Sequence, residues 1–222
     1  MHTFALIHAR WHGAWCWEDV ATRLRQAGDD VLVPDRAGYD ALRDLIAAQP
    51  EPVVLVGHSS SGMTISALAE ELPRQVSLLV YVSAFLLPAG LAPPDVMRDD
   101  PDSILAEHIV VDPASATMTV SEPEKVLFGE CEPERARWAA ARLAPEPLTP
   151  PPVPAVRGDF GGVPRVYVEC LRDRALGPAT QRRMYTRLPC RHVYELPADH
   201  SPFLSTPDAL TRHLRDAAAR AS

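Results

Sequence analysis

An apolar run that ends in a tight polar turn is the feature that most constrains this chain. Residues 53–56 read Val-Val-Leu-Val, which suits a strand buried on both faces. The small and polar residues Gly57 to Ser61 follow at once, and residues 63–72 then carry apolar side chains at helical spacing. The stretch predicts a strand, a sharp turn and a helix, the unit from which parallel α/β sheets are built.

The turn carries a serine in a setting that suits a nucleophile. In a strand-to-helix elbow, the residues two positions before and after the nucleophile must be small, because larger side chains would collide. Gly57 and Ser61 satisfy this demand around Ser59, although the pattern G-x-S-x-G has a second glycine where this chain has Ser61. Ser59 is then exposed at the carboxyl end of the strand, and the N–H of Ser60 faces a developing oxyanion. The alternative is an ordinary buried strand followed by a serine-rich helix N-cap.

The rest of the chain alternates between strands and helices in the same way. Further strands are predicted at 4–7, 31–33, 76–86, 163–170 and 192–196. Helices are predicted at 15–28, 39–48, 63–72, 178–187 and 207–219. Short connections between alternating elements indicate a parallel sheet with right-handed crossovers.

Residues 88–154 interrupt this alternation. They contain no clear strand and only two predicted helices, at 122–128 and 133–143, among clustered prolines. We therefore expect a single α/β domain over residues 1–222, with a mostly parallel central sheet flanked by helices. A small helical cap at residues 88–154 is expected to lie over the carboxyl ends of the strands, where open α/β sheets bind ligands.

Charge and cysteine spacing exclude several classes of protein. The net charge is −7 and no basic stripe is present, so nucleic acid is not an expected partner. The cysteines form no C-x-x-C pair, which favours free thiols in a reducing cytosol over a zinc site or a disulfide framework. We expect neither a signal peptide nor a membrane-spanning run. We expect a cytoplasmic protein with no membrane partner, no metal and no cofactor.

Two further polar residues follow strands in the order that a serine nucleophile needs. A serine hydroxyl becomes nucleophilic when a histidine takes its proton and a carboxylate holds the other ring nitrogen. Asp173 comes just after the strand at 163–170, and His200 comes just after the strand at 192–196. The alternative is that Asp173 caps a helix and that His200 starts one. Asp199 is a competing acid, but adjacent residues rarely aim their side chains at each other.

Together these residues resemble one group of α/β-hydrolases, which contains the plant methylesterases (the salicylate-binding esterase), the hydroxynitrile lyases and bacterial esterase relatives. The matching stretches are 7–15, 55–59, 160–173 and 198–205, with a cap-like stretch at 130–134. The resemblance implies the α/β-hydrolase fold, with Ser59 as nucleophile, His200 as base and Asp173 as orienting acid. It also implies that the main-chain N–H groups of Ser60 and Arg10 form the oxyanion hole.

Three positions depart from that group. Ala9 stands where the esterases have glycine and the lyases have threonine, and a methyl group cannot donate the hydrogen bond that threonine would. Ser201 replaces the lysine that follows the histidine in the lyases, which disfavours lyase chemistry. Arg10 places a long cation where the relatives have a small residue. Its side chain either reaches an anionic group of the substrate or lies on the surface.

The sequence therefore predicts a bacterial serine hydrolase that cleaves a small-molecule carboxylic ester through a Ser-His-Asp triad and an acyl-enzyme. Two alternatives stay open: a non-hydrolytic lyase or biosynthetic enzyme on the same fold, and a binding module with an impaired catalytic site. A homodimer is also left open. Candidate pocket residues are Ala9, Trp11, Phe85 and Trp138, although large apolar side chains more often belong to the core.

Overall fold

Nine strands provide the framework in the computed structural model, which describes residues 1–221. They are β1 (Thr3–Ile7), β2 (Asp30–Leu32), β3 (Val53–His58), β4 (Val76–Val82), β5 (Ile109–Asp112), β6 (Thr117–Val120), β7 (Glu146–Pro147), β8 (Arg165–Cys170) and β9 (His192–Leu196). The central sheet has six strands in the order β2-β1-β3-β4-β8-β9, and all of its pairs are parallel. The predicted parallel sheet is thereby confirmed.

Strand β3 lies in the middle of this sheet. It pairs with β1, where Val54 is opposite Phe4, and with β4, where Gly57 is opposite Tyr81. All residues of β3 are buried, as its continuous apolar run predicts. Because the six strands run in one direction, the loops that follow them meet at one edge of the sheet.

Helices cover both faces of the sheet. They are α1 (Glu18–Gln26), α2 (Tyr39–Ala47), α3 (Ser61–Glu71), α4 (Pro93–Met97), α5 (Leu105–His108), α6 (Pro123–Val126), α7 (Pro133–Ala140), α8 (Pro178–Arg187), α9 (Pro202–Ser205) and α10 (Pro207–Ala221). On one face, α1 and α10 bury Leu24 and Leu214. On the other, α2, α3 and α8 bury Ile46, Leu68 and Met184. No helix within residues 1–221 combines the length and apolar character needed to cross a membrane.

The cap, which we define as residues 88–154, differs from its prediction. We expected helices only, and this is wrong because β5, β6 and β7 form an antiparallel sheet. The two predicted helices are present in shorter form as α6 and α7. The strands escaped prediction because they are short and β5 has no buried face: Val110 and Val111 are consecutive and are 48% and 50% exposed. The boundaries at 88 and 154 stay a prediction.

Two element boundaries also differ for local reasons. Strand β4 ends at Val82 rather than at residue 86, because Ser83 has a φ of 40° and leaves the extended region. The helix predicted at 15–28 begins with a 3₁₀ turn, Ala14–Trp17, before α1.

Candidate active site

The turn between β3 and α3 has the backbone geometry of a nucleophile elbow. Ser59 has a φ of 51°, a left-handed conformation that non-glycine residues adopt rarely and mostly under structural constraint. Space is tight on both sides. A Cβ on Gly57 would lie 2.9 Å from Ile65 Cδ1. Ser61, which stands where the pattern has its second glycine, is buried and donates its hydroxyl to the carbonyl of Ile7 at 2.9 Å. The serine is therefore accommodated without loss of the elbow.

The segment after β4 holds the elbow in place. The N–H of Phe85 donates to the carbonyl of Ser59 at 3.0 Å, and the N–H of Ser59 donates to the carbonyl of Val82 at 3.3 Å. A Cβ on Gly62 would lie only 2.4 Å from the carbonyl oxygen of Phe85. Gly62 is therefore required for this close approach, a role that the sequence analysis missed because it depends on a segment distant in the chain.

Asp173 and His200 are joined directly. Their loops follow β8 and β9, and Nδ1 of His200 lies 2.7 Å from Oδ2 of Asp173. The other carboxylate oxygen accepts hydrogen bonds from the main-chain N–H groups of Ala175 at 2.7 Å and Leu176 at 2.9 Å. Since the carboxylate accepts from Nδ1, the neutral ring carries its proton there and keeps the lone pair on Nε2. The competing acid, Asp199, does not make this contact.

Two residues that the sequence analysis did not identify also contact Asp173. Ser83 donates its buried hydroxyl to Oδ2, and the side-chain amide of Gln181 donates to the same oxygen at 3.4 Å. Ser83 is the first residue after β4, the strand next to β8. A polar residue at the end of an apolar strand, beside the strand that leads to Asp173, was the signal that could have found it.

His58 connects the elbow to the loop of His200. Its Nε2 donates to the carbonyl of His200 at 2.7 Å, and the two rings lie 4.6 Å apart. The ring of His12 lies 5.5 Å from that of His58. Burial lowers the pKa of His12 to about 3 and holds the pKa of His58 well below 6.5, so both rings are neutral at pH 7. The residue before Ser59 thus contacts His200.

The loop that follows β1, called the β1 loop (residues 8–13), faces the elbow. The main-chain N–H of Arg10 donates to Oγ of Ser60 at 3.2 Å. The next residue, Trp11, has a φ of 63°, and its N–H donates to Oε1 of Glu146 in the cap strand β7 at 3.2 Å. The residues predicted to supply the oxyanion donors, Arg10 and Ser60, are therefore in contact.

Arg36 holds the β1 loop through side-chain contacts. Its Nη2 donates to the carbonyl of His12 at 3.1 Å, and its Nη1 lies 3.6 Å from Oε1 of Glu146. The N–H of Arg36 donates to Nε2 of His8 at 2.9 Å, so His8 carries its proton on Nδ1 and donates it to the carbonyl of Ala9 at 2.9 Å. Burial lowers the pKa of His8, which favours this neutral form.

Asp199 has a different role from that of an acid on His200. One oxygen accepts the N–H of Glu130 in the cap at 2.9 Å. The other accepts the N–H of Ser201 at 3.0 Å and the hydroxyl of Ser205 at 2.9 Å. Burial raises the pKa of this carboxyl. Asp199 therefore connects the loop of His200 to the cap.

A family model described as the alpha/beta hydrolase family matches residues 4–213. The chain belongs to this family. Methylesterase 17 of Arabidopsis thaliana is 31% identical over 93% of this chain and 88% of that protein. The carbendazim hydrolyzing esterase of Nocardioides sp. (strain SG-4G) is 29% identical over 96% of this chain and 98% of that protein. With such relatives, this α/β-hydrolase is an enzyme of the carboxylic ester hydrolase type.

A solved structure agrees with this fold. A variant of tomato methylketone synthase I, complexed with β-ketoheptanoate, superposes with a TM-score of 0.85. The superposition covers 100% of this chain and 99% of that chain at 22% sequence identity. At this identity, the likeness concerns the fold alone.

The four predicted pocket residues of this α/β-hydrolase lie in different surroundings. Ala9 and Trp11 are buried in the β1 loop, and Trp11 Nε1 donates to the carbonyl of Met118 in β6 at 3.2 Å. Phe85 is half-buried beside the elbow. Trp138 lies in α7, where its ring is 5.4 Å from that of Trp15 and 4.1 Å from the guanidinium of Arg142. Of the four, Phe85 has the contact with Ser59 itself.

Proposed function

We propose that this α/β-hydrolase cleaves small carboxylic esters with Ser59 as its nucleophile, through an acyl-enzyme. The observation that carries the proposal is the buried contact of 2.7 Å between His200 Nδ1 and Asp173 Oδ2. His58, the residue before Ser59, ties this pair to the elbow through its hydrogen bond to the carbonyl of His200. These contacts support a shared role for Ser59, His200 and Asp173 as nucleophile, base and orienting acid at the carboxyl edge of the sheet.

In the acylation step, Ser59 Oγ attacks the ester carbonyl while Nε2 of His200 takes the hydroxyl proton. Asp173 keeps the other ring nitrogen protonated and stabilises the imidazolium that forms. The tetrahedral intermediate collapses when its C–O bond to the alcohol breaks, and His200 returns the proton to the departing alkoxide. The products of this step are an alcohol and an ester of Ser59.

In the deacylation step, water replaces the alcohol. His200 takes a proton from the water, the resulting hydroxide attacks the acyl carbon, and the bond to Ser59 Oγ breaks as the proton passes to that oxygen. In both steps the negative oxygen accepts the main-chain N–H groups of Ser60 and Arg10. The Arg10 donor is already directed at Ser60 Oγ, so it needs only to exchange that acceptor for the substrate oxygen.

The names of the relatives guide the choice of first substrates. Methylesterase 17 points to methyl esters, and the Nocardioides enzyme is named as an esterase. We propose that small methyl esters are substrates of this enzyme as well. The cytoplasm of a bacterium is the proposed location, which is consistent with the free cysteines of residues 1–221.

The test is the loss of activity when the nucleophile is removed. Ser59→Ala should abolish the turnover of p-nitrophenyl acetate and the labelling by a fluorophosphonate probe. Ser115→Ala, in the exposed turn between β5 and β6, is the matched control and should keep both. Turnover by the Ser59→Ala protein at the wild-type rate would refute the assignment.

A second measurement separates hydrolysis from non-hydrolytic chemistry. When a methyl ester is turned over in water enriched in heavy oxygen, hydrolysis places one labelled oxygen in the carboxylic acid product. A lyase or another non-hydrolytic enzyme releases its product without that label. Mass spectrometry of the acid, with a sample from which the enzyme is omitted as control, decides between the two.

A further inference from the structure

Among residues 1–221, the guanidinium of Arg10 has no anionic partner. The residue is half-buried, and Nη1 donates to the sulfur of Met118 at 3.7 Å. A thioether is a weak acceptor, whereas a guanidinium is permanently charged and carries five N–H donors. Within residues 1–221, no carboxylate forms an ion pair with Arg10. In the part of the chain that the structure describes, this strong cation thus has one weak acceptor, and its main chain lies beside the elbow.

Arg36 contacts the same loop but, unlike Arg10, has a carboxylate partner. Its guanidinium lies 3.6 Å from Glu146 and donates to the carbonyls of His12 and Trp11. Glu146 is further engaged by the N–H of Trp11. The carboxylate of Glu146 is therefore engaged by Arg36 and by the β1 loop, and the charge of Arg10 is left for another anion.

The two ends of Arg10 lie against the two sides of the expected substrate site. Its main-chain N–H is 3.2 Å from Oγ of Ser60, the residue after the nucleophile. Its guanidinium lies against Met118 of the cap strand β6. The residue consequently extends from the elbow to the cap, and we expect its cation to lie beside an ester bound at Ser59.

We propose that Arg10 binds a carboxylate of the substrate, so that the enzyme acts on esters that carry a second, ionised carboxyl group. This inference rests on the proposed ester hydrolysis and names its substrate class. A guanidinium matches a carboxylate with two parallel hydrogen bonds, and such charged pairs are among the stronger ones in proteins. The scissile carbonyl accepts the N–H of the same residue that binds the carboxylate, so a short carbon chain separates the two groups.

The experiment compares each anionic ester with a neutral amide of the same size. The first pair places the charge in the acyl half: the p-nitrophenyl monoester of glutaric acid against the p-nitrophenyl ester of glutaramic acid. The second pair places it in the alcohol half: 3-acetoxypropanoate against 3-acetoxypropanamide. Rates are corrected for spontaneous hydrolysis, which a neighbouring carboxylate accelerates. In at least one of the two pairs, kcat/KM should be about 10-fold to 100-fold higher for the anionic ester than for the neutral amide.

Variants assign that preference to Arg10. Arg10→Met should reduce the ratio of anionic to neutral kcat/KM to about 1, and Arg10→Lys should retain part of it because the charge remains without the planar fork. Arg137→Met, an exposed arginine of α7, is the matched control and should keep the wild-type ratio. Added salt should lower the wild-type ratio, since it screens the charge.

The outcomes separate this inference from the esterase proposal. A wild-type ratio near 1 in both pairs, or a preference that Arg10→Met leaves unchanged, overturns the inference while hydrolysis of the neutral esters supports the esterase. If no ester is hydrolysed, the role of Arg10 is tested by the binding of glutarate, measured as a shift in Tm. Glutarate should raise the Tm of the wild type and of Ser59→Ala more than that of Arg10→Met. An equal shift in the three proteins, or no shift, overturns the role of Arg10.

Discussion

The acid–base pair and the β1 loop are positioned by different means. The side chains of Asp173 and His200 are 0% and 4% exposed, and their loops follow adjacent strands of the sheet. The β1 loop is held instead by Arg36 and Glu146, whose side chains are 41% and 20% exposed. The core of the fold thus holds the proposed acid–base pair, while a partly exposed ion pair and the cap hold the loop that carries the proposed oxyanion donor. We therefore expect substitutions in the second arrangement to disturb the core less than substitutions in the first.

The largest effect on kcat is expected for the pair of Asp173 and His200, which the core holds. Asp173→Asn should lower kcat about 10⁴-fold, because an amide can donate to Nδ1 of His200 and thereby leave the proton on Nε2, the wrong nitrogen for a base. The measurement is kcat with p-nitrophenyl acetate, and circular dichroism checks that the variant is folded. A folded variant that retains a tenth of the wild-type kcat would show that Asp173 does not orient His200.

The two regions meet at the buried imidazoles of His12 and His58, and these rings should make the fold less stable in acid. The pKa of His12 is lowered to about 3 and that of His58 lies well below 6.5, because burial disfavours the charged form. Below pH 6.5 the unfolded chain binds protons at these rings and the folded chain does not. The free energy of unfolding is therefore highest above pH 6.5 and decreases as the pH falls from 6.5 towards 3. Each ring should cost about 2 kcal/mol between pH 8 and pH 5.

Urea unfolding at pH 8 and pH 5 measures this loss. In His12→Asn, the amide can replace the hydrogen bond from Nδ1 to the carbonyl of Arg10, which is 2.8 Å long. The variant is less stable than the wild type at both values, but its loss between them should be smaller by about 2 kcal/mol, since one titrating ring is gone. Equal losses in the two proteins would exclude a neutral, buried His12.

This division also explains what the sequence could predict. Ser59, Asp173 and His200 each follow a predicted strand, and the ends of parallel strands share one edge of the sheet, so their placement needed only the order of the elements. Glu146 and Arg36 carry no such signal. Each is a charged residue in a loop or a very short strand, and their contact with the β1 loop depends on how the cap folds back over the sheet.

The cap shows the same limit. Its strands β5 and β6 contain four residues each, and Ile109, Met118 and Val120 pack only partly buried against the core. Alternation of apolar and polar residues therefore had little length over which to appear. Gly62 lies in α3 and Ser83 directly follows β4, yet their roles depend on contacts with Phe85 and Asp173, which are remote in sequence. Side-chain contacts between distant segments were the part that pattern analysis did not reach.

A smaller effect than that of Asp173→Asn is expected at the cap side. Glu146→Ala removes the acceptor of the Trp11 N–H and the partner of Arg36, so the adjoining Arg10 donor is less well oriented. We expect kcat to fall about 10-fold to 100-fold with little change in KM. Glu146→Gln keeps an acceptor oxygen and should recover most of the rate. Glu134→Ala, an exposed cap glutamate in α7, is the control. A change in KM alone would assign Glu146 to substrate binding.

The smallest effect concerns the hydroxyl that the Arg10 N–H contacts at 3.2 Å. In Ser60→Ala this donor is hydrated instead, and the substrate oxygen displaces water rather than a tethered hydroxyl. Because such neutral hydrogen bonds contribute about 1 kcal/mol, kcat/KM should rise by no more than about 5-fold. Steady-state kinetics with p-nitrophenyl acetate measures the change. A loss of 10-fold or more would mean that the Ser60 hydroxyl itself donates to the oxyanion, and the oxyanion hole would then have a donor from the elbow side chain besides its two main-chain N–H groups.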